Sequence, residues 1–209
     1  MVLLPSNGDI NFKFKKRRFT NEKITLNIIA VSNSISLFPC SYGKKRRVAN
    51  IMTVKPDHGK AALVIARTTS FGGAINFFTY LDYKLIGVTR GKSCFIKKDI
   101  EPGQKYLIAR TESLETGKIQ FEPDTVYYVQ QSPRMGWAVA RVTLTPVSPD
   151  HLLSEIGDGG CDFYALNNND PGEGLSEHEY QEAVTDYERE LKEGHHTDFT
   201  VYKGFKVEK

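Results

Sequence analysis

The sequence predicts a mostly β protein, built as a small antiparallel β-sandwich of the immunoglobulin or transthyretin kind. Residues 75–110 contain four short runs of aromatic and β-branched side chains, which suit a pleated, half-buried surface. Turn-forming residues separate these runs, and their apolar positions lack a helical period. A basic N-terminal extension precedes this part of the chain, and an amphipathic helix follows it.

The four runs predict four antiparallel strands, at residues 75–81, 84–89, 93–97 and 104–110. The first turn falls at Asp82 and Tyr83, and the second at residues 90–92. The third contains Pro102 and Gly103, which suit the two central positions of a type II turn.

Four more segments complete about eight strands, the number and spacing expected of a sandwich. Residues 61–67 are almost entirely apolar, which is typical of a central core strand. Residues 112–117 are polar and predict a turn, while residues 118–122 and 125–131 predict a strand pair. In residues 136–147 apolar and polar side chains alternate, which places Ala138, Ala140, Val142 and Leu144 on the inner face. We expect burial at Leu63, Ile65, Phe77, Ile86, Leu107, Tyr128 and Val142.

The charge distribution suggests three segments. Residues 1–60 carry 12 Lys and Arg against 3 Asp and Glu, whereas the remaining residues carry 16 against 22. We predict a basic N-terminal extension at residues 1–55, a β-sandwich domain at 56–148, and a polar linker with a helix and tail at 149–209.

The three cysteines do not form a motif. Cys40, Cys94 and Cys161 lie far apart, without a CxxC pair or a histidine at ligand spacing, so neither a disulfide framework nor a zinc site is predicted. One pair could still form in an oxidising compartment. The spacing leaves open whether Cys94 and Cys161 are that pair.

The N-terminal extension has the outline of a secretory signal. Basic residues at 13–23 precede an apolar stretch at 24–38, and Cys40 follows at the place where a bacterial lipoprotein is lipidated. The residues before Cys40 are larger than a lipobox requires, so a plain β-strand at 24–37 is the alternative. The basic cluster at 43–47 lacks interleaved aromatic residues, which favours a solvated surface over nucleic-acid binding.

Near the C-terminus the sequence predicts a helix at residues 177–193. Ser176 and Glu179 have the spacing of a capping box, and Gly194 can end the helix. Five apolar side chains fall on one stripe, namely Tyr180, Ala183, Val184, Tyr187 and Leu191. The other face is mostly acidic, so the stripe is expected to pack on the sandwich or on a partner.

Three motif-like segments predict no cofactor or metal site. Residues 87–93 have three residues between their glycines where a phosphate loop needs four, so a hairpin turn is the better interpretation. Residues 168–179 place Glu173 where a calcium loop requires glycine. His195 and His196 are adjacent, so on an extended chain their side chains point in opposite directions.

Several short motifs of residues 60–147 resemble a known family. A core strand ends in Arg67, a hairpin contains Leu81-Asp82-Tyr83-Lys84-Leu85-Ile86-Gly87, Pro102-Gly103 forms a turn, and Thr125-Val126-Tyr127-Tyr128-Val129 forms a strand. This pattern resembles the bacterial family called domain of unknown function 2846, and part of it is similar to PEGA-type surface domains. The resemblance implies a small envelope-associated β-sandwich, often on a lipoprotein, with no known activity.

Together these observations favour a non-enzymatic domain for binding or structural support at the bacterial cell envelope or periplasm, anchored to the membrane if Cys40 is lipidated. Its expected partner is an envelope protein or the membrane surface. Phe71, Arg134 and Trp137 are the candidate partner surface, because they lie in or beside loops that flank central strands. The alternatives are a hydrolase with an unrecognised site, and an intracellular, cytoplasmic module that binds nucleic acid through its basic N-terminus.

Overall fold

The computed structural model describes residues 46–47, 51–135, 140–157, 161–163 and 172–207. The chain divides into two units, Met1–Phe38 and Pro39–Lys209, and every described residue belongs to the second unit. The predicted lipidation at Cys40, the predicted signal at residues 13–38 and the predicted surface residue Trp137 therefore lie outside the described residues.

The described residues form mainly β-strands, with two α-helices and two short 3₁₀ turns, Ile51–Thr53 and Phe199–Val201. The helices are α1 (Pro149–Ile156) and α2 (Glu177–Lys192). The strands are β1 (Arg46–Arg47), β2 (Ala61–Arg67), β3 (Asn76–Leu81), β4 (Lys84–Arg90), β5 (Ser93–Ile100), β6 (Gly103–Arg110), β7 (Leu114–Phe121), β8 (Thr125–Met135), β9 (Ala140–Pro146), β10 (Asp162–Phe163) and β11 (Phe205–Lys206).

The strands form two sheets, which confirms the mostly β, sandwich-like prediction. The larger sheet has the order β1-β10-β5-β2-β8-β11, with β9 also paired to β8, and the smaller sheet has the order β4-β3-β6-β7. The smaller sheet is antiparallel throughout. The larger sheet is mixed, because β2 runs parallel to β8. A parallel pair needs a long crossover, and here strands β3 to β7 supply it.

Strand β2 is buried on both faces, as its apolar run predicts. Ala61, Leu63 and Ile65 face a core that also contains side chains of the smaller sheet, such as Phe77 and Leu107. The alternate side chains face a second core beneath α1. All seven side chains expected to be buried are buried: Leu63, Ile65, Phe77, Ile86, Leu107, Tyr128 and Val142.

Two predicted hairpins are wrong in their pairing. Strands β4 and β5 belong to different sheets, so residues 87–93 form a corner between sheets rather than a hairpin. Strands β7 and β8 likewise lie in different sheets, and β8 pairs instead with β2, β9 and β11. The predicted turn at 112–117 is also too long, because β7 begins at Leu114. Gly117 lies within that strand, at a position where a Cβ atom would collide with the ring of Phe199.

The segment expected to be a polar linker begins with helix α1. Ser148 caps the helix, since its side chain accepts a hydrogen bond from the amide of His151, and Pro149 occupies the first helical turn. Leu152 and Ile156 are buried in the core beneath the helix. The amphipathic pattern of this segment covers only the eight residues of α1, and those two side chains make up most of its apolar face.

Cys94 of β5 and Cys161 form a disulfide bond, with their Cα atoms 5.6 Å apart. Both cysteines are buried. Strand β10 begins directly after Cys161 and pairs in parallel with β5, so the covalent bond and the strand pairing attach the same segment to the larger sheet. The pairing of Cys94 with Cys161 answers the question that their spacing left open.

Candidate functional site

A polar cavity of about 810 Å³ lies along helix α2. We call it the α2 groove. Its lining consists of residues 110–116 at the turn between β6 and β7, residues 134 and 141–143 of β8 and β9, one face of α2 from Glu179 to Glu190, and His195 with His196. The groove is thus bounded by a strand wall on one side and a helix wall on the other.

Helix α2 is held against the smaller sheet by aromatic rings and ion pairs. The capping box is confirmed, because the Ser176 side chain accepts from the Glu179 amide and Glu179 accepts from the Ser176 amide. The rings of Tyr106 and Tyr180 meet edge to face at 6.1 Å. Glu188 accepts hydrogen bonds from Tyr106 and Lys118, which hold the pKa of this carboxyl below its usual range.

The helix wall is acidic. Glu179, Glu182, Asp186 and Glu190 recur at helical spacing and line the groove. Hydrogen bonds from Ser176, and then the contact with Arg110, hold the pKa of Glu179 below its usual range. Glu182 and Asp186 are about half exposed, and their ion pairs within the helix, with His178 and Arg189, are also solvent-exposed. Exposed pairs of this kind contribute little free energy, so these carboxylates stay accessible to a ligand.

The strand wall contains all three arginines of the groove, together with Glu112 and Glu115. Arg110 Nη1 donates to Glu179 Oε1 at 3.0 Å, and its guanidinium lies over the Tyr80 ring at 5.0 Å. Arg134 and Arg141 occupy directly opposite positions of β8 and β9. Both side chains are exposed, and neither belongs to any ion pair found within the described ranges. The arginines of the groove therefore all lie opposite the carboxylates of the helix wall.

The turn between β6 and β7 is tied to the start of β9. Thr111 Oγ1 donates to the carbonyl of Ala140 at 2.8 Å, and Glu112 accepts a hydrogen bond from the Ala140 amide. These bonds connect the smaller sheet to the β8–β9 hairpin at the strand wall. They fix the position of Arg141, which follows Ala140 directly.

One end of the groove contains an ion pair between His196 and Glu115, with Nε2 and Oε1 3.4 Å apart. The histidine side chain is only 11% exposed, and its ring meets the edge of Tyr187 at 4.9 Å. The Glu115 carboxylate raises the pKa of His196 above its usual value, against the opposing effect of burial.

His195 and His196 have separate surroundings, as their adjacency predicts. His195 lies 3.3 Å from Glu193, whereas the nearby Asp198 accepts from the Thr200 amide. Within the described ranges, no three His, Cys, Asp or Glu side chains are grouped as a metal site requires.

The predicted partner-surface residues lie in different places. Arg134 lines the α2 groove. Phe71 lies in the loop between β2 and β3, is 54% exposed, and is not among the residues that line the groove. Its carbonyl accepts a hydrogen bond from Arg67, a fully buried arginine whose guanidinium lies 4.0 Å from the centre of the Phe77 ring.

Sequence reasoning missed Arg110, Arg141 and the acidic residues of α2 as members of one site. Two signals pointed toward them. The alternation of β9 puts Arg141 on the outer face, and the face of α2 opposite its apolar stripe is acidic. The pairing of β8 with β9, which places Arg134 opposite Arg141, could not be predicted from local sequence patterns.

The fold and the groove define a mostly β, sandwich-like domain with a charge-segregated groove beside its longer helix. Comparisons with protein-family models, curated proteins and solved structures found no match. The resemblance to domain of unknown function 2846 thus stays a prediction. No helix in the described part of the chain has the length and apolar character that crossing a membrane requires.

Proposed function

We propose that this protein is a non-enzymatic binding domain of an oxidising compartment, the bacterial cell envelope or periplasm, and that it recognises a protein partner through the α2 groove. The observation that carries the proposal is the disulfide between Cys94 and Cys161. Disulfides persist in exported proteins and are rare in the reducing cytosol.

The surroundings of the disulfide favour a structural role. Cys94 and Cys161 are 0% and 2% exposed and are separated by 67 residues, unlike the accessible pairs of redox enzymes. The bond belongs to the apolar core beneath α1. A buried bond of this kind supports a domain that is kept permanently oxidised.

The character of the α2 groove favours a protein partner. Small-molecule sites are mostly apolar with a few polar groups, whereas this groove is lined mainly by charged and hydroxyl side chains. Arginines on one wall and carboxylates on the other provide orientation and specificity for a partner that carries both signs. Because the helix wall is acidic, a polyanion such as nucleic acid would be repelled along half of the groove.

Anchoring through Cys40 extends the same proposal. Its support is the sequence pattern alone: basic residues, an apolar stretch and a cysteine, in that order. Lipidation at Cys40 would hold the domain at the membrane surface, within reach of envelope proteins.

Mass spectrometry of the protein purified from its native host without reduction tests the compartment. Free thiols are first blocked with an alkylating reagent during lysis. The expected result is a linked pair of peptides containing Cys94 and Cys161, together with a diacylglyceryl group on Cys40. Alkylated Cys94 and Cys161 on a chain that still begins at Met1 would contradict the proposal.

A further inference from the structure

Arg134 and Arg141 form an unusual pair on the strand wall. They are direct neighbours across antiparallel strands, so their side chains leave the same face of the hairpin about 5 Å apart at Cβ. Like charges in this position repel each other and destabilise the pairing. No described acidic side chain forms an ion pair with either of them. The arrangement is unfavourable for the free protein and favourable for a bound anion.

Thr143 adds a second, independent feature to the same face. It lies two residues after Arg141 on β9, and therefore on the same side of the strand, and it also lines the groove. Its hydroxyl oxygen is buried and has no hydrogen-bond partner among the described residues. A buried hydroxyl without a partner is uncommon, because leaving it unsatisfied costs free energy. The protein thus has one unsatisfied polar atom beside the arginine pair.

Two exposed guanidinium groups match the chemistry of a carboxylate. Arginine donates in a planar fork that fits two oxygens at once, and its hydrogen bonds to charged acceptors are the stronger kind. The opposite wall adds a second requirement, since Glu182 and Asp186 attract a cation. A ligand that satisfies both walls carries a carboxylate and a basic group a short distance apart.

We propose that the α2 groove binds a mixed-charge peptide segment of a partner protein. A glutamate or aspartate of the segment is bound between Arg134 and Arg141, and a lysine or arginine of the segment lies against Glu182 and Asp186. This inference rests on the proposed binding function and specifies the chemistry of the partner.

The test uses the full oxidised chain and labelled hexapeptides in a Gly and Ser background. Each peptide has one glutamate and one lysine, separated by zero to three residues. Matched peptides replace the glutamate or the lysine by glutamine. Fluorescence anisotropy measures the dissociation constants at low and at physiological ionic strength. We expect one separation to bind best, and we expect either glutamine replacement to weaken its binding by about tenfold.

Substitutions in the protein then locate the contacts. Arg134→Gln and Arg141→Gln should each weaken binding of the glutamate-containing peptide about tenfold. Neither should change the affinity for the matched peptide in which glutamine replaces the glutamate. Asp186→Asn should weaken binding of the lysine-containing peptide about tenfold. It should leave unchanged the affinity for the matched peptide in which glutamine replaces the lysine. Lys98→Gln removes an exposed cation outside the groove and should have no effect on any peptide.

A stability measurement separates binding from a structural role. Because Arg134 and Arg141 repel each other, Arg134→Gln should leave the melting temperature of the free protein unchanged or raise it. A structural arginine would instead lower the melting temperature when replaced. That result, combined with unchanged peptide affinity, would overturn the inference.

Three other outcomes also overturn the inference: no peptide binds, all peptides bind equally, or single-stranded DNA or phosphatidylglycerol vesicles bind more tightly than every peptide. Its failure is distinguishable from failure of the proposed function. If the protein has an intact disulfide and a lipidated Cys40 but binds none of the peptides, only this inference is contradicted. If the protein has free thiols but still selects the mixed-charge peptide, only the proposed compartment is contradicted.

Discussion

Helices α1 and α2 are attached to the sheets in contrasting ways. Helix α1 packs by Leu152 and Ile156 onto the core that also contains the Cys94–Cys161 disulfide. Helix α2 has only two fully buried side chains, Ala183 and Tyr187, although it is twice as long. Contacts of Tyr180 and Tyr187 with the Tyr106 ring, ion pairs and hydrogen bonds supply the rest of its attachment.

The contrast indicates how the molecule separates stability from recognition. Apolar packing and a covalent bond exclude water, so the α1 side has a closed surface. The polar part of the α2 attachment leaves charged groups hydrated, so this side keeps a groove in which Arg134 and Arg141 form no ion pair with another described residue. We therefore expect changes on the α1 side to alter global stability strongly, and changes on the α2 side to have smaller effects.

Loss of the disulfide should have the largest effect. The chain-entropy model for a loop of this length gives a stabilisation of about 4 kcal/mol. The double variant Cys94→Ala with Cys161→Ala should therefore unfold at a clearly lower urea concentration. Reduction of the wild-type protein is the matched control and should lower its stability by a similar amount. Equal midpoints for oxidised and reduced protein would show that the bond does not stabilise the α1 side.

Truncation of Leu152 should rank next. The side chain is fully buried, and removing such groups costs about 2–5 kcal/mol. Leu152→Ala should lower the free energy of unfolding by that amount in urea titrations. Glu155→Ala, an exposed position of the same helix, serves as the control and should change the free energy of unfolding by less than about 0.5 kcal/mol. A small loss for both variants would mean that α1 does not anchor this core.

Removal of the cap of α2 should cost less. Ser176→Ala deletes the side chain that accepts from the Glu179 amide, at a typical cost of about 1 kcal/mol. Ser176→Asp retains a capping oxygen and should recover most of the stability. Hydrogen exchange should show faster exchange in the first turn of α2 for the alanine variant, while the amides of β2 keep their protection. Equal loss of protection in β2 would contradict the expected independence of the two sides.

The smallest expected effect is the pH dependence of the His196–Glu115 pair. The pKa of His196 is raised in the folded protein, so its contribution is fully present below its unfolded pKa of about 6.5 and is lost as pH rises through the higher folded value. Glu115 of β7 and Glu190 of α2 both favour the charged imidazole. The stability difference between wild type and Glu115→Gln should thus shrink as the pH rises above about 6.5. An NMR titration showing the same His196 pKa in both proteins would contradict the assignment of Glu115 as the cause.

Much of the fold could be predicted from local patterns. The apolar run of β2, the alternation of β9 and the capping box of α2 are each set by neighbouring residues, and each has the expected structure. Helix α1 was missed because eight residues with two buried aliphatic side chains give a weak periodic signal. The serine and proline that begin it were the available clue.

Strand pairing was harder to predict because a turn sequence does not specify whether the next strand returns beside its predecessor or crosses to the other sheet. The turn at Arg90 to Lys92 has hairpin chemistry, yet it joins different sheets. Gly87 explains this crossing between sheets in part. Because Gly87 has no side chain, the ring of Phe95 can pack directly against it across the core. The groove depends on the same long-range information, because Arg134 and Arg141 become neighbours only through pairing, and the α2 acids approach them only after docking.

The parallel pairing of β2 with β8 affects the order of events during synthesis. Strand β2 leaves the ribosome long before β8, and until β8 arrives its edge amides and carbonyls lack that partner. The hairpins β3–β4 and β6–β7 are local and can form in the interval. The nascent chain therefore carries an apolar, incompletely paired segment, Ala61–Arg67, which is the kind of segment that associates with other chains. A translational pause before β8 has left the ribosome would lengthen this exposure and should increase aggregation, whereas a pause after β8 has emerged should not.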